Sequence, residues 1–226
     1  MRVRNVISSF CLFVSFYLSV VNGTFGAVLI SYGFDGGSLS PTVITTGALA
    51  GPISHGGALA FSSNASLGNP APAVEMSFIT SATAPDAVAQ DDFFRLNIQA
   101  YPNFILSLTG ISFDVAAGNA LDEGPRNFFV QYGTAGGFVT AGSGTRNGST
   151  SFLQESYALP NILVALPASA TIRIYGYIPG AGSNATSLLF DNITIFGTVT
   201  EVPEPSTATI LLLPAAAFFP RRRRKR

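Results

Sequence analysis

The body of this sequence (residues 27–200) contains few side chains that could perform catalysis. Its one histidine, His55, lies in the glycine-rich stretch PISHGG, and no G-x-S-x-G segment supplies a serine nucleophile. One histidine excludes histidine metal clusters, and the absence of lysine from the body excludes a phosphate-binding P-loop. The acid pairs Asp91–Asp92 and Asp122–Glu123 are adjacent, and neighbours on a strand point to opposite faces rather than across a cleft. We therefore predict no catalytic residues.

Two aspartates near the ends of the body are candidate calcium ligands. Asp35 lies in YGFDGG near the first predicted strand, and Asp191 lies in LLFDNI in the last one. Because terminal strands of jelly-roll sandwiches often run side by side, both carboxylates can meet at one calcium ion with backbone carbonyls. The alternative, which we favour, is that Asp35 begins a turn with Gly36 and Gly37 and that Asp191 begins a bulge with Asn192.

Aromatic platforms for sugars are also scarce, since the chain has no tryptophan and seven tyrosines. Arg173, Tyr175 and Tyr177 share one face of a predicted strand and form a candidate sugar-facing strip. The alternative, favoured again, is that this face is the outer surface of a contact between sheets or at an edge.

The elements that position these residues are predicted strands, because the apolar residues recur with a period of two. In LLFDNITIFG, Leu189, Ile193 and Ile195 alternate with Phe190 and Phe196, so both faces of that strand are partly covered. In the other strands the residues predicted to share an apolar face are Phe94, Leu96, Ile98 and Ala100; Ile111, Phe113 and Val115; and Ile172, Ile174 and Ile178.

Turn-forming Gly, Asn, Ser and Pro separate these short strands, and no stretch of the body has a sustained helical period. We therefore predict an all-β domain over residues 27–200, a jelly-roll or lectin-like β-sandwich. Thirteen of the nineteen phenylalanines lie in this domain and supply the bulk of its core, and about 175 residues suffice to bury a core without disulfides.

The charges of the body exclude nucleic acid as a partner. Ten acids against four arginines give the body a net charge of −6, which disfavours binding to a phosphate backbone. The arginines are Arg95, Arg126, Arg146 and Arg173.

The N-terminus has the pattern of a secretory signal peptide. Arg2 and Arg4 precede an apolar run from Val6 to Val21, and small residues follow at Gly23 and Gly26. We predict a signal peptide over residues 1–26 rather than an uncleaved anchor. The only cysteine of the chain lies inside this segment, so the exported protein has no disulfide.

The C-terminal region (residues 201–226) combines VPEPST, an apolar run and a basic end. The run from Thr207 to Pro220 has 14 residues, so as a short helix it is about 21 Å long and does not span a hydrocarbon core of about 30 Å. Pro214 interrupts it. A marginal apolar segment before cytoplasmic positive charge is typical of a sorting signal. The basic residues are Arg221, Arg222, Arg223, Arg224, Lys225 and Arg226.

This arrangement resembles the PEP-CTERM sorting signal of Gram-negative and related bacteria, although the apolar segment is shorter than usual. The resemblance implies that Pro203, Glu204 and Pro205 are recognised by an exosortase, an integral-membrane processing enzyme. It also implies transient membrane contact through the apolar segment, association with exopolysaccharide, and a location at the cell envelope, cell surface or extracellular matrix. The body resembles the generic secreted sandwich domains that precede such tails.

The sequence thus favours an exported, non-enzymatic protein of the cell surface or extracellular matrix. A second hypothesis is a carbohydrate-binding module with structural calcium. A third, a hydrolase of matrix polysaccharide, requires two carboxylates of the body to converge in a cleft.

Overall fold

The computed structural model describes residues 25–57, 60–64, 66–70, 72–79, 81–118, 125–134, 137–179 and 186–203. The predicted signal peptide up to residue 24, Asp122–Glu123, and the tail from Glu204 onward lie outside the described residues. The strands are β1 (Ala27–Tyr32), β2 (Val43–Ile44), β3 (Ala48–Ala50), β4 (Ser54–His55), β5 (Ala60–Asn64), β6 (Ala73–Ile79), β7 (Phe93–Ala100), β8 (Phe104–Ala117), β9 (Pro125–Thr134), β10 (Gly137–Asn147), β11 (Leu153–Ala165), β12 (Ser169–Tyr177) and β13 (Thr186–Glu201).

These strands form two antiparallel sheets that enclose one core. Sheet A has seven strands, with β11, β8, β13, β1 and β2 in spatial order and with β6 and β5 continuing from β13. Sheet B has six strands, with β10, β9, β12, β7 and β3 in order and with β4 also paired to β7. The long strand β13 pairs with β8 along one edge and with β6 and then β1 along the other. The predicted all-β sandwich is confirmed.

A cluster of four phenylalanines joins the two sheets at the centre of the core. Phe113 and Phe190 come from sheet A, and Phe94 and Phe128 come from sheet B. The ring of Phe190 lies 5.1 Å from that of Phe94, 5.6 Å from that of Phe113 and 6.3 Å from that of Phe128, each in an edge-to-face arrangement. All four are fully buried, so this cluster is a principal source of the apolar burial that stabilises the sandwich.

The predicted inward faces of β7, β8 and β12 are confirmed, since their apolar residues are buried in the core between the sheets. The prediction for β13 is wrong in one respect. Phe190 faces the core together with Ile193 and Ile195, whereas Leu189 packs on the opposite face with Ala73 and Ala116. The cause is the bulge after Asp191, which inserts an extra residue and reverses the alternation.

One short helix, α1 (Ala84–Gln90), contradicts the expectation of a body without helix. Thr83 caps its N-terminus, accepting from the backbone N–H of Asp86 and donating its hydroxyl proton to the carboxylate of Asp86 at 2.6 Å. In the sequence, the Thr-x-x-Asp spacing with Pro85 in the first turn is typical of a helix N-terminus and indicates this helix. In the part of the chain that the structure describes, no helix is long and apolar enough to cross a membrane.

Two of the four arginines point into the sandwich rather than to solvent. Arg126 and Arg146 face each other across β9 and β10, and they are 1% and 8% exposed. Arg146 donates from Nη2 to Glu155 at 2.6 Å and from Nε to the carbonyl of Val115 at 3.0 Å, which ties sheet B to β8 and β11 of sheet A. These two side chains therefore belong to the structural interior.

Truncation of the central ring tests the role of the phenylalanine cluster. We expect Phe190→Ala to lower the free energy of unfolding by about 3–5 kcal/mol, because it removes a fully buried ring and leaves a cavity. Urea denaturation followed by circular dichroism measures the change. Leu163→Ala, at a side chain that is 72% exposed, is the control and should change it by less than about 0.5 kcal/mol. Equal effects of the two substitutions would contradict the assignment of the core.

Candidate functional site

The charged residues of the strands are divided between the two sheets. The strands of sheet B contain all four arginines of the body and no aspartate or glutamate. The strands of sheet A contain no arginine and carry acids in β6, β8, β11 and β13. Since Arg126 and Arg146 point inward, Arg95 and Arg173 are the cations on the outer face of sheet B.

Five outward side chains form one row across the outer face of sheet B. Successive cross-strand partners are Thr140 with Gln131, Gln131 with Arg173, Arg173 with Arg95, and Arg95 with Ser54. The row crosses β10, β9, β12, β7 and β4, so it extends about 19 Å at the usual spacing between strands. We call these five residues the polar row.

Arg173 is held rigidly at the centre of the polar row. The Cζ atom of its guanidinium lies over two aromatic rings, 3.8 Å from the ring centroid of Phe138 and 4.4 Å from that of Phe93. Its Nη1 donates to the hydroxyl of Tyr175 at 3.1 Å, and its Nε is buried without a hydrogen-bond partner among the described residues. Stacking on two rings fixes the plane of the guanidinium and limits its motion.

Arg95 lies directly opposite Arg173 and is also half-exposed. Its Nε donates to the hydroxyl of Ser54 at 3.1 Å. Among the described residues, neither Arg95 nor Arg173 forms an ion pair with a carboxylate; the ion pair seen there joins Arg146 to Glu155. The outer face of sheet B therefore presents two neighbouring positive charges that no carboxylate of the described residues neutralises by direct contact.

The candidate strip of Arg173, Tyr175 and Tyr177 is on this face but is not exposed along its length. Tyr175 is fully buried beneath α1, stacked on Phe129 at 4.7 Å and in edge contact with Phe93 at 5.2 Å. Arg173 and Tyr177 remain half-exposed. Tyr175 therefore supports its neighbours, and only Arg173 and Tyr177 of the strip are accessible to a ligand.

A cleft of ≈ 390 Å³ separates α1 from strands β9 and β10, and we call it the α1 cleft. Its apolar wall contains Pro85 and Val88 of α1 together with Phe129 and Tyr177. The polar side is formed by Gln131, Thr140 and Ser143. Because Gln131 and Thr140 also belong to the polar row, the α1 cleft and the polar row form one continuous surface.

Two further depressions border the outer face of sheet B. One of ≈ 210 Å³ is lined by Leu49 of β3 and by Asn97 and Gln99 of β7. The other, of ≈ 680 Å³, includes Phe138 and Thr171 and continues toward β11. Among the described residues, no aspartate or glutamate lines any of these three depressions.

The candidate calcium ligands lie away from this face, and both favoured local interpretations are confirmed. Asp35 starts a short 3₁₀ turn with Gly36 and Gly37, which have positive φ. Asp191 starts a bulge in which Asn192 has φ 49°. Asp191 is fully buried, and its carboxylate accepts from the backbone N–H groups of Asn69 at 2.6 Å and Asn192 at 2.7 Å.

The surroundings of Asp191 oppose its ionisation. Burial raises the pKa of Asp191, the two backbone hydrogen bonds lower it, and the negative charges of Asp114 and Asp35 raise it further. Asp114 is the cross-strand partner of Asp191 and accepts from the side-chain amides of Asn69 at 3.1 Å and Asn192 at 2.9 Å. The described residues contain no group of three or more His, Cys, Asp or Glu placed to hold a metal ion. Calcium binding by Asp35 and Asp191 therefore stays a prediction.

Pattern reasoning missed most of the residues that form the outer face. Arg95, Gln131 and Phe129 occupy alternate positions of their strands, which indicates that they face away from the core. Their presence in one surface depends on which strands pair and in what register, and the order β10, β9, β12, β7 is not sequential. Of the accessible residues of this face, the sequence predicts only Arg173 and Tyr177, which share one strand.

No protein-family model matches this sequence, and no curated protein matches it. Among solved structures, the CBM22-1 xylan-binding domain of Paenibacillus barcinonensis Xyn10C is similar at 12% identity over 76% of this chain and 96% of that one, with a TM-score of 0.43. The K3 cleaved adhesin domain of Lys-gingipain from Porphyromonas gingivalis w83 is similar at 13% identity over 75% and 99%, with a TM-score of 0.45. TmCBM61 in complex with β-1,4-galactotriose is similar at 13% identity over 74% and 94%, with a TM-score of 0.37. Similarities with TM-scores below 0.5 do not identify a ligand for this chain.

The raised pKa of Asp191 predicts a pH dependence of stability. A carboxyl whose pKa is higher in the folded state stabilises the protein below its unfolded pKa, and this contribution is lost as the pH rises through the folded pKa. We therefore expect the free energy of unfolding to fall more in the wild type than in Asp191→Asn when the pH is raised from 4 to 7. Urea denaturation of both proteins at the two pH values measures this difference. A difference that does not change with pH would contradict the assignment.

The calcium hypothesis has its own test. If Asp35 and Asp191 hold calcium, then millimolar calcium raises the melting temperature at pH 7, and either Asp35→Ala or Asp191→Ala abolishes the rise. Scanning calorimetry with calcium and with EDTA provides the measurement, with magnesium as the control cation. A melting temperature that calcium does not change would exclude the hypothesis.

Proposed function

We propose that this protein is an exported, non-catalytic surface or matrix protein whose sandwich domain binds polysaccharide on the outer face of sheet B. The observation that carries the proposal is the continuity of the polar row with the α1 cleft, where Gln131 and Thr140 belong to both. Together they form an elongated surface that suits a chain-like ligand better than a compact one.

The side chains of this surface match the chemistry of sugars. The Gln131 amide and the Thr140 and Ser143 hydroxyls each donate and accept hydrogen bonds, as sugar hydroxyls do. Tyr177 and Phe129 provide an apolar wall against which the C–H faces of a sugar ring can pack. Apolar walls with a few placed polar groups are typical of ligand sites in proteins.

Binding without hydrolysis is favoured by the distribution of acids. The three depressions on the outer face of sheet B lack carboxylates, and the buried acids Asp114 and Asp191 are engaged by the amides of Asn69 and Asn192. General acid–base catalysis at a glycosidic bond requires a carboxyl group within reach of the bond. The described surface therefore supports recognition of a polysaccharide rather than its cleavage.

Sorting through the C-terminal region is the second part of the proposal. The backbone N–H of Val202 donates to the carbonyl of Asn103 at 2.8 Å, and the next residue, Pro203, is exposed. Exposure of Pro203, the first residue of the Pro203–Glu204–Pro205 triplet, is compatible with access by an exosortase-type membrane enzyme. Retention at the cell surface by the processed end would place the sandwich next to exopolysaccharide.

Substitutions on the outer face test polysaccharide binding. We expect Tyr177→Ala and Gln131→Ala each to weaken binding about tenfold or more, because they remove an aromatic wall and a central hydrogen-bonding group. Affinity electrophoresis against a panel of neutral and acidic polysaccharides identifies the ligand, and isothermal titration calorimetry measures the affinity.

Matched substitutions on other surfaces serve as controls for this test. Gln154→Ala lies on an exposed position of β11 in sheet A, and Tyr101→Ala removes a tyrosine that is 52% exposed between β7 and β8. Both should leave the affinity unchanged. If no polysaccharide of the panel binds the wild type, the proposed function is wrong.

The mass of the mature protein tests the sorting proposal. We expect the protein recovered from the surface and medium of its native cells to end between Pro203 and Ser206, plus the mass of any attached anchor. Intact-mass spectrometry with C-terminal peptide mapping gives the answer. Recovery of chains ending at Arg226 from the membrane fraction would show instead that the tail itself is the anchor.

A further inference from the structure

We propose that the polysaccharide bound by the outer face of sheet B is acidic, and that Arg95 and Arg173 bind its carboxylate or sulfate groups. This inference rests on the proposed function and specifies the class of ligand. It follows from the placement of two cations that the fold brings together and that no acid of the described residues pairs with.

The two guanidinium groups are neighbours by register. Arg95 and Arg173 are direct cross-strand partners on one face of β7 and β12. Like charges directly opposite each other destabilise a sheet, since their Cβ atoms are only about 5 Å apart. A bound anion between or above them would remove this repulsion. The cost of the pair in the free protein is thus offset when the ligand carries negative charge.

Each guanidinium still has hydrogen-bond donors to offer. Arg95 uses Nε for Ser54, and among the described residues its two Nη groups have no protein acceptor. Arg173 uses Nη1 for Tyr175, and its Nη2 has no acceptor in the same part of the chain. Planar donor pairs of arginine match the two oxygens of a carboxylate or sulfate. Because Phe93 and Phe138 already immobilise Arg173, little side-chain entropy is lost on binding.

The charges around the polar row favour binding of an acidic polymer at that row over other parts of the body. The strands of sheet B contain no acid; in the sequence, Asp91 and Asp92 directly precede β7, Asp122 and Glu123 precede β9, and Asp86 lies in α1. Asp86 accepts from the Thr83 hydroxyl, and buried Asp92 accepts from the Ser81 hydroxyl. The body (residues 27–200) carries a net charge of −6, so within the body an acidic polymer is repelled away from the polar row and attracted at it. This contrast favours binding in one place and orientation.

The experiment compares polymers that differ in charge and not in backbone. Calorimetry at pH 7 uses the full-length chain with its six basic tail residues (221–226) replaced by glutamine, so that the tail does not attract acidic polymers. It measures binding to polygalacturonate, to its fully methyl-esterified form, and to dextran sulfate beside neutral dextran. We expect an acidic polymer to bind about tenfold or more tightly than its neutral counterpart. The affinity should fall as salt is raised from about 50 mM to about 500 mM, because salt screens the charges. Which acidic polymer binds distinguishes a carboxylate ligand from a sulfate ligand.

Variants then assign the effect to the two arginines. We expect Arg95→Gln and Arg173→Gln to remove the preference for the acidic polymer, with folding checked by circular dichroism. A double variant, Arg95→Gln with Gln154→Arg, restores the net charge on the exposed surface of sheet A and should not restore binding. Restoration would show that net charge alone is responsible and would overturn the inference.

The outcomes separate this inference from the proposed function. If the neutral polymers bind as well as the acidic ones, or if the arginine variants keep the preference, then the inference is overturned and polysaccharide binding stands. If no acidic or neutral polysaccharide binds the wild type, then both are overturned. A preference for the acidic polymer that both single variants remove and the double variant does not restore supports the assignment.

Discussion

The packing of phenylalanine rings between the two sheets is the constraint on which the rest of the molecule depends. Phe94 of β7 and Phe128 of β9 meet Phe113 and Phe190 of sheet A in the centre of the core. Since successive side chains of a strand point to opposite faces, burying Phe94 forces its neighbour Arg95 outward. The apolar contacts that stabilise the sandwich therefore also orient the polar residues on the outer face of sheet B.

Arginine has two distinct roles in this domain, and the direction of the side chain decides between them. The inward pair, Arg126 and Arg146, lies at the margin of the core, where Arg146 is paired with Glu155 and with backbone carbonyls of sheet A. The outward pair, Arg95 and Arg173, has aromatic and hydroxyl neighbours but no carboxylate among the described residues. The buried guanidinium of Arg146 is thus paired and hydrogen-bonded, whereas exposed arginine can remain available to a ligand.

The sequence predicted the class of fold and, for most strands, which residues face the core, because alternating burial is a local property. It failed at β13, where the bulge at Asn192 reversed the alternation, and at α1, which at seven residues is too short to show a helical period. The candidate site was predicted only within β12. The cross-strand partners of Arg173, which are Arg95 and Gln131, could not be predicted, because each pairing joins segments that are more than 40 residues apart. The turn at Asp35 and the bulge at Asp191 could be predicted from the sequence, since each depends on adjacent residues.

The course of β13 has a mechanical consequence for a protein held at a surface by its C-terminus. This strand pairs along both edges, with β8 on one side and with β6 and β1 on the other, and it leads directly into Val202 and Pro203. A pull on the tail acts along the strand axis, perpendicular to the ladder hydrogen bonds, so that many of them bear the load at once instead of breaking one after another. If the domain is retained by its C-terminus as proposed, tension on the tail is therefore met in shear along β13.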